Sequence, residues 1–342
     1  MKKKLAVLIA AAILITSMPF YAFAGDETGT DAENQLVSTG TVEETAPAPA
    51  TNQVIMVNGK LCYYNAAGQP DMSDGWKNAS NGTYFVRSGV IATSPVMMTG
   101  TQTVTKKVKV YYNKKKKKWQ TKKIKGAKTK YKKKKVTVTG KQLYMFGSDG
   151  RLITTKGLFK YNGNEYYGLG GGVIKTGWAA IKNNAMYFDK KTGVMVKNKK
   201  VGYLKIPKSG RLGKAYALGV KQLDKSGWSL KKAYKFSYKI RYQGRWYRAK
   251  NSETYAIKGF TKKKGNCYVM AATFYIMAKL LGYDVHQVAG KVDLPHSWTV
   301  IKQNGREWVY DPNFRNETGR NGWKIYYGKK GTWKYNHYHK MN

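Results

Sequence analysis

Apolar and polar positions along the chain fall into three regimes. The first is a single block: Lys2, Lys3 and Lys4 precede an apolar run from Leu5 to Ile15, and small residues close it at Ala22-Phe23-Ala24. This layout predicts a secretory signal peptide over residues 1–24, cut before Gly25. The run is too short for a membrane span, and no later apolar stretch reaches the roughly 18 residues that a span needs. The expected mature chain is therefore secreted, with no membrane span after cleavage. Residues 25–54 hold six acids, few large apolar side chains and the sequence Ala-Pro-Ala-Pro-Ala. Such a stretch cannot bury enough surface to order itself and predicts a disordered acidic linker.

The second regime, residues 55–200, reads as short strands with glycine turns. Tyr63-Tyr64 and Tyr84-Phe85 stand 21 residues apart, and the same offset separates Tyr166-Tyr167 from Tyr187-Phe188. Gly150, Gly172 and Gly193 follow at intervals of 22 and 21. A period near 20 with aromatic hairpins predicts a β-hairpin repeat solenoid, in which each hairpin buries its face against its neighbours. A Lys-rich insert at 101–139 interrupts the repeats. "VTKKVKVYY" and "KKVTVTG" alternate like strands at its two ends, while the five consecutive lysines between them should stay solvated.

The third regime, residues 201–342, mixes helical and strand spacing. "SLKKAYKFSYKIRY" predicts a helix capped by Ser229. "QGRWYRAKNSETYAIKGFTKKKG" is less regular and reads as a connecting stretch. "GNCYVMAATFYIMAKLLGY" then predicts a helix with Met270, Phe274, Met277 or Ala278, and Leu281 on one face, ended by Gly282. "DVHQVAGKV" predicts a strand, and "HSWTVIKQNGREWVYD" a hairpin turning at Asn304-Gly305, with Pro312 stopping its second arm. The fold class expected is α+β, a hairpin solenoid followed by a helix packed on an antiparallel sheet.

Charge adds a partner. The formal charge is +45, and losing the three N-terminal lysines leaves +42. Residues 101–139 hold seventeen lysines and no acid. A field of this sign implies a polyanionic partner, and for an exported chain anionic cell-wall polymers fit better than nucleic acid, for which no recognition motif is present. The insert thus reads as an electrostatic clamp on wall polymers, as a set of lysine amines that accept acyl groups, or as a solvated flexible insert.

Three residues carry candidate chemistry. Cys267 opens a helix, where free N–H groups and the dipole favour negative charge. His296 begins one arm of the hairpin and Asp311 ends the other. A two-residue turn sets His296 opposite Asn313 and leaves Asp311 a diagonal neighbour on the same face. Sulfur, imidazole and carboxylate in that relation meet the requirement for Cys-His-Asp nucleophilic catalysis. The chain's other cysteine, Cys62, makes two in all, too few for a disulfide framework.

"GNCYVMAATFYIMAKLLGY", "PHSWTVI" and "EWVYDPNF" resemble the transglutaminase-like core, with 29 residues from Cys267 to His296 and 15 from His296 to Asp311. The resemblance implies a papain/transglutaminase-like domain in which Cys267 is nucleophile, His296 general base and acid, and Asp311 orienting carboxylate. It also implies a side-chain oxyanion donor before the cysteine, for which Tyr255, with Trp246 behind it, is the candidate. Trp298 is expected to pack near the histidine, and His286 to be structural. His337 and His339 could share a strand face, but no third ligand accompanies them, so no metal is expected and no cofactor is implied. The hairpin units are similar to cell wall-binding (choline-binding-like) repeats. That likeness makes Trp76 and Trp178, at the "GW" positions, and Tyr166 and Tyr187 candidate wall-binding residues. The function implied is a wall-associated acyl-transfer enzyme acting on a protein or peptide substrate, by crosslinking or by hydrolysis. The alternative is a non-enzymatic wall-binding protein with a degenerate scaffold.

Overall fold

The structure, a computed structural model, describes residues 51–341 apart from Lys122, Arg245 and Trp246. The expected signal peptide and residues 25–50 of the expected linker lie outside the described residues. The last two residues of that linker, Gln53 and Val54, already belong to the first strand. Strands and helices occur together and the chain is α+β.

Antiparallel hairpins build the first part. β1 (Gln53–Val57) pairs with β2 (Lys60–Tyr64) across Asn58-Gly59, both at positive φ as the primed two-residue turn requires. A three-stranded unit follows, β3 (Gly75–Ala79), β4 (Gly82–Arg87) and β5 (Val90–Ile91). Then come β6 (Val96–Asn113), β7 (Lys118–Gln120) and β8 (Thr129–Tyr144). They share a six-stranded sheet with β9 (Lys156–Tyr161), β10 (Asn164–Gly170) and β11 (Val173–Ile174). Two further hairpins complete the array, β12 (Gly177–Ile181) with β13 (Asn184–Phe188), and β14 (Lys200–Val201) with β15 (Leu204–Lys205). Separate small aromatic and aliphatic cores lie under the hairpins.

The second part surrounds one helix. α1 (Lys214–Ser226) and α2 (Leu230–Tyr238), the latter capped by Ser229, lead through β16 (Arg241–Tyr242) to α3 (Ser252–Lys262). The segment expected to be irregular thus holds an 11-residue helix. Asn251 caps α3 by accepting the Thr254 N–H, an asparagine start signal inside an otherwise charged stretch. β17 (Lys264–Gly265) pairs in parallel with β16 and delivers the chain to α4 (Cys267–Leu280). Every residue of α4 from Val269 to Ala278 is buried, so the helix is enclosed on all sides rather than along the single face expected. It packs on a four-stranded sheet of order β20-β19-β18-β21: β18 (Val285–Lys291), β19 (Pro295–Gln303), β20 (Arg306–Tyr310) and β21 (Asn336–Lys340). Asn304 and Gly305, at φ 50° and 75°, make the turn, and the ladder runs from Gln303 opposite Arg306 to Thr299 opposite Tyr310. Pro312 does more than stop the strand: it is the first residue of α5 (Pro312–Thr318), with Asp311 as its cap. The far face of the sheet buries Val288, Trp298, Val300 and Val309 against Ile325 and Tyr335.

The Lys-rich insert is one continuous ribbon. β6 and β8 stay in register from Val96 opposite Tyr144 to Tyr111 opposite Thr129, a run of roughly 50 Å. The end of β8 pairs with β11, so the ribbon grows out of the repeat array. Threonine and valine, which suit strands, sustain the ladder on either side of the lysines. Near its tip Tyr112 packs on Trp119, and the Lys130 ammonium sits 4.1 Å from the Trp119 ring centre. Against these contacts, Lys106 stands opposite Lys134 and Lys107 opposite Lys133, and like charges directly opposed weaken a ladder. Amide exchange over Val104–Lys135 should therefore slow as salt rises from about 10 mM to about 1 M, where screening lengths fall from about 30 Å to about 3 Å. Unchanged or faster exchange would mean that lysine repulsion does not limit the ribbon.

Candidate active site

Cys267 is the first residue of α4 and is 7% exposed. Asn266 caps the helix by accepting the Val269 N–H at 3.3 Å, and the Cys267 N–H is one of the first donors of α4, which have no partner within the helix. His296 is the second residue of β19, opposite Gly290. Its Nε2 lies 2.7 Å from Asp311 Oδ2, and the Cys267 thiol lies near enough to the ring to raise its pKa. With Nε2 committed to the carboxylate, Nδ1 is the ring nitrogen left for another partner.

Asp311 is fully buried and held at every polar atom. Oδ1 accepts the N–H groups of Asn313 (2.9 Å) and Phe314 (3.0 Å), the cap of α5. Oδ2 accepts the Tyr335 hydroxyl at 3.0 Å besides its bond to His296. Its backbone carbonyl accepts the Tyr234 hydroxyl at 2.9 Å, and its N–H donates to the Gly322 carbonyl at 2.8 Å. Gly322 packs so closely on this residue that a Cβ there would collide with the Asp311 carbonyl and the Tyr234 hydroxyl. Around the imidazole, Trp298 stacks at 5.9 Å, as expected, and Trp333 stands edge-on at 4.8 Å.

Burial alone pushes the His296 pKa down, since it penalises the charged ring. The Asp311 carboxylate, by charge and hydrogen bond, and the Cys267 sulfur outweigh burial and raise it from 6.5 to about 10. The ring therefore carries its proton at neutral pH. The Cys267 sulfur thus lies at a helix N-terminus and near a protonated ring. Both cysteines are free, so Cys62 does not occupy Cys267.

The remaining candidates scatter. Tyr255 is buried in α3 and stacks at 5.5 Å on Tyr268, the residue after the cysteine; Trp246 lies outside the described residues. Tyr242, 41% exposed at the end of β16, lies close enough to Cys267 to feel its charge, and burial, Glu317 and Cys267 push its pKa up. His286 lies 3.6 Å from Asp284. His337 and His339 share β21, and among the described residues no His, Cys, Asp and Glu form a metal-holding group. Among the repeat aromatics, Trp76 is 44% exposed and packs edge-on against Phe85 and Tyr144. Tyr166 is buried against Phe159, while Trp178 and Tyr187 pack edge-on at 5.1 Å and line one pocket with Lys175 and Trp228. Sequence reasoning missed Tyr234, Tyr242, Trp333 and Tyr335. They sit in aromatic-rich segments with no motif to distinguish them.

Residues 216–312 match the family model of the Transglutaminase-like superfamily, and this stretch is a transglutaminase-like domain. No curated protein matches the chain. Among solved structures it is similar to choline binding protein F from Streptococcus pneumoniae (18% identity, TM-score 0.26, 47% of this chain and 39% of that one). It is also similar to CbpJ from Streptococcus pneumoniae TIGR4 (21%, 0.19, 46% and 47%) and to the pneumococcal cell wall endolysin from phage Cp-1 (21%, 0.19, 37% and 27%). The match spans less than half of each of these chains. Among the described residues no helix is long and apolar enough to cross a membrane.

The raised pKa of His296 has a thermodynamic consequence. The folded chain binds a proton that the unfolded chain releases near pH 6.5, so this stabilisation is complete below pH 6.5 and is lost as pH rises through about 10. Asp311→Asn removes the charge that holds the proton. Denaturant melts between pH 6 and 10 should show stability falling with pH more steeply in the wild type than in the variant. Parallel slopes would contradict the assignment of Asp311 as the cause.

Proposed function

We propose that the chain is a secreted, wall-associated cysteine enzyme that acts on protein or peptide amides through a thioester. The observation that carries this reading is the buried line of Cys267, His296 and Asp311, with a protonated ring between sulfur and carboxylate. The Cys267 sulfur attacks the amide carbonyl carbon, and the carbonyl electrons move to oxygen. The Cys267 N–H at the head of α4 is the donor proposed for that oxyanion. As the C–N bond breaks, the proton on His296 passes to the departing amine or ammonia, and a thioester joins substrate to enzyme. Asp311 keeps the ring oriented throughout. A second nucleophile then attacks the thioester while His296 takes its proton. An amine gives an isopeptide crosslink and water gives hydrolysis.

The wall association rests on charge. The expected leader implies export, and the ribbon offers lysines on both strands with no acid among them. A linear anionic wall polymer could lie along it, held by forces that weaken with salt. No cofactor enters this chemistry.

Incubation with isolated surface proteins should yield products detectable by mass spectrometry, either ammonia-loss crosslinks or cleaved peptides. Cys267→Ala should lower turnover by on the order of 10⁴-fold or more while circular dichroism stays unchanged. Turnover that survives in a folded Cys267→Ala variant would remove the sulfur as nucleophile.

A further inference from the structure

Asp311 Oδ1 is saturated by two backbone N–H groups, so the carboxylate presents Oδ2 alone to side chains. Two donors share that atom, His296 Nε2 at 2.7 Å and the Tyr335 hydroxyl at 3.0 Å. Tyr335 is 6% exposed and arrives from the chain beyond residue 312, where the family match ends. Its ring is fixed on two sides. Trp298 packs at 5.0 Å and Tyr327 stands edge-on at 6.4 Å, while the Tyr327 hydroxyl accepts the Trp298 indole N–H at 3.3 Å. The same segment brings Trp333 against the imidazole and ends in β21, hydrogen-bonded to the edge of β18. Burial first, and then the Asp311 charge, push the Tyr335 pKa well up, so the hydroxyl keeps its proton and always donates.

We infer that Tyr335 is a positioning residue: it shares Oδ2 with His296, fixes the carboxylate's orientation, and limits how much negative charge Asp311 directs at the imidazole. A carboxylate with more donors is a weaker acceptor for each of them. Tyr335 thereby limits how far Asp311 raises the basicity of the ring, so that the proton on Nδ1 can pass to a leaving group. The C-terminal segment is then part of the active-site machinery rather than a cover on the sheet. This inference rests on the reading of Asp311 as the carboxylate that orients His296.

The test reads the hydrogen bond itself, in the full chain at neutral pH. In ¹⁵N-labelled protein the His296 Nε2-bound proton should give a low-field resonance. Tyr335→Phe removes one donor from Oδ2 and should move that resonance further downfield. Replacing Tyr335 site-specifically by difluorotyrosine, a stronger donor of nearly the same shape, should move it upfield, and this arm remains decisive where Tyr335→Phe fails to fold. Opposite shifts support the inference, because loss of packing cannot produce both. A resonance present in the wild type but unmoved by either variant overturns the role of Tyr335 and leaves the triad intact. Its absence from the wild type would overturn the underlying reading of the site.

Discussion

The Asp311 carboxylate is a charge taken out of water, and the surrounding structure is organised to make that tolerable. An unpaired buried carboxylate costs several kcal/mol. Here it accepts two backbone N–H groups, a tyrosine hydroxyl and an imidazole, while its own backbone bonds Tyr234 and Gly322. Those partners come from β19, α2, α5, the loop at Gly322 and the C-terminal segment. One residue thus ties together elements far apart in sequence. The same charge holds the proton on His296, which couples the integrity of the fold to the state of the site.

Placement of sulfur and ring follows from local rules. The Asn-Gly turn fixes the register of β19 and β20, and that register carries Asp311 to within reach of His296. Asn266 starts α4 at Cys267, and apolar residues around the whole circumference bury the helix behind it. The Cys267 sulfur therefore stands at the end of a fully packed element. Pre-organisation of this kind lets catalytic geometry persist without reorganisation during reaction.

Much of this was legible in the residues and some was not. Hairpin register, the cap at Ser229, the end of α4 at Gly282 and the packing of Trp298 on His296 all follow from short-range chemistry. α1 and α3 each carry a glycine inside the helix, Gly219 and Gly259, which weakens the helical signal of the segment. α5 escaped because "DP" serves equally as a strand end and as a cap followed by a helix-starting proline, and only tertiary contact decides between them. The ribbon escaped for a different reason. Five lysines in a row suggest a solvated loop, but four of them, Lys114 to Lys117, make the turn and Lys118 already opens β7, while threonine and valine recur along β6 and β8. Tyr335 has no sequence signal at all, since its role depends on a contact 24 residues back along the chain.

The central claim is that the fold activates one buried sulfur. The chain contains its own control, because Cys62 is the more accessible of its two free cysteines. Iodoacetamide at neutral pH, followed by peptide mass mapping, compares the two rates in one experiment. The account predicts that Cys267 is alkylated faster than Cys62 despite its burial. Alkylation in the order of exposure, with Cys62 first and Cys267 spared, would contradict it.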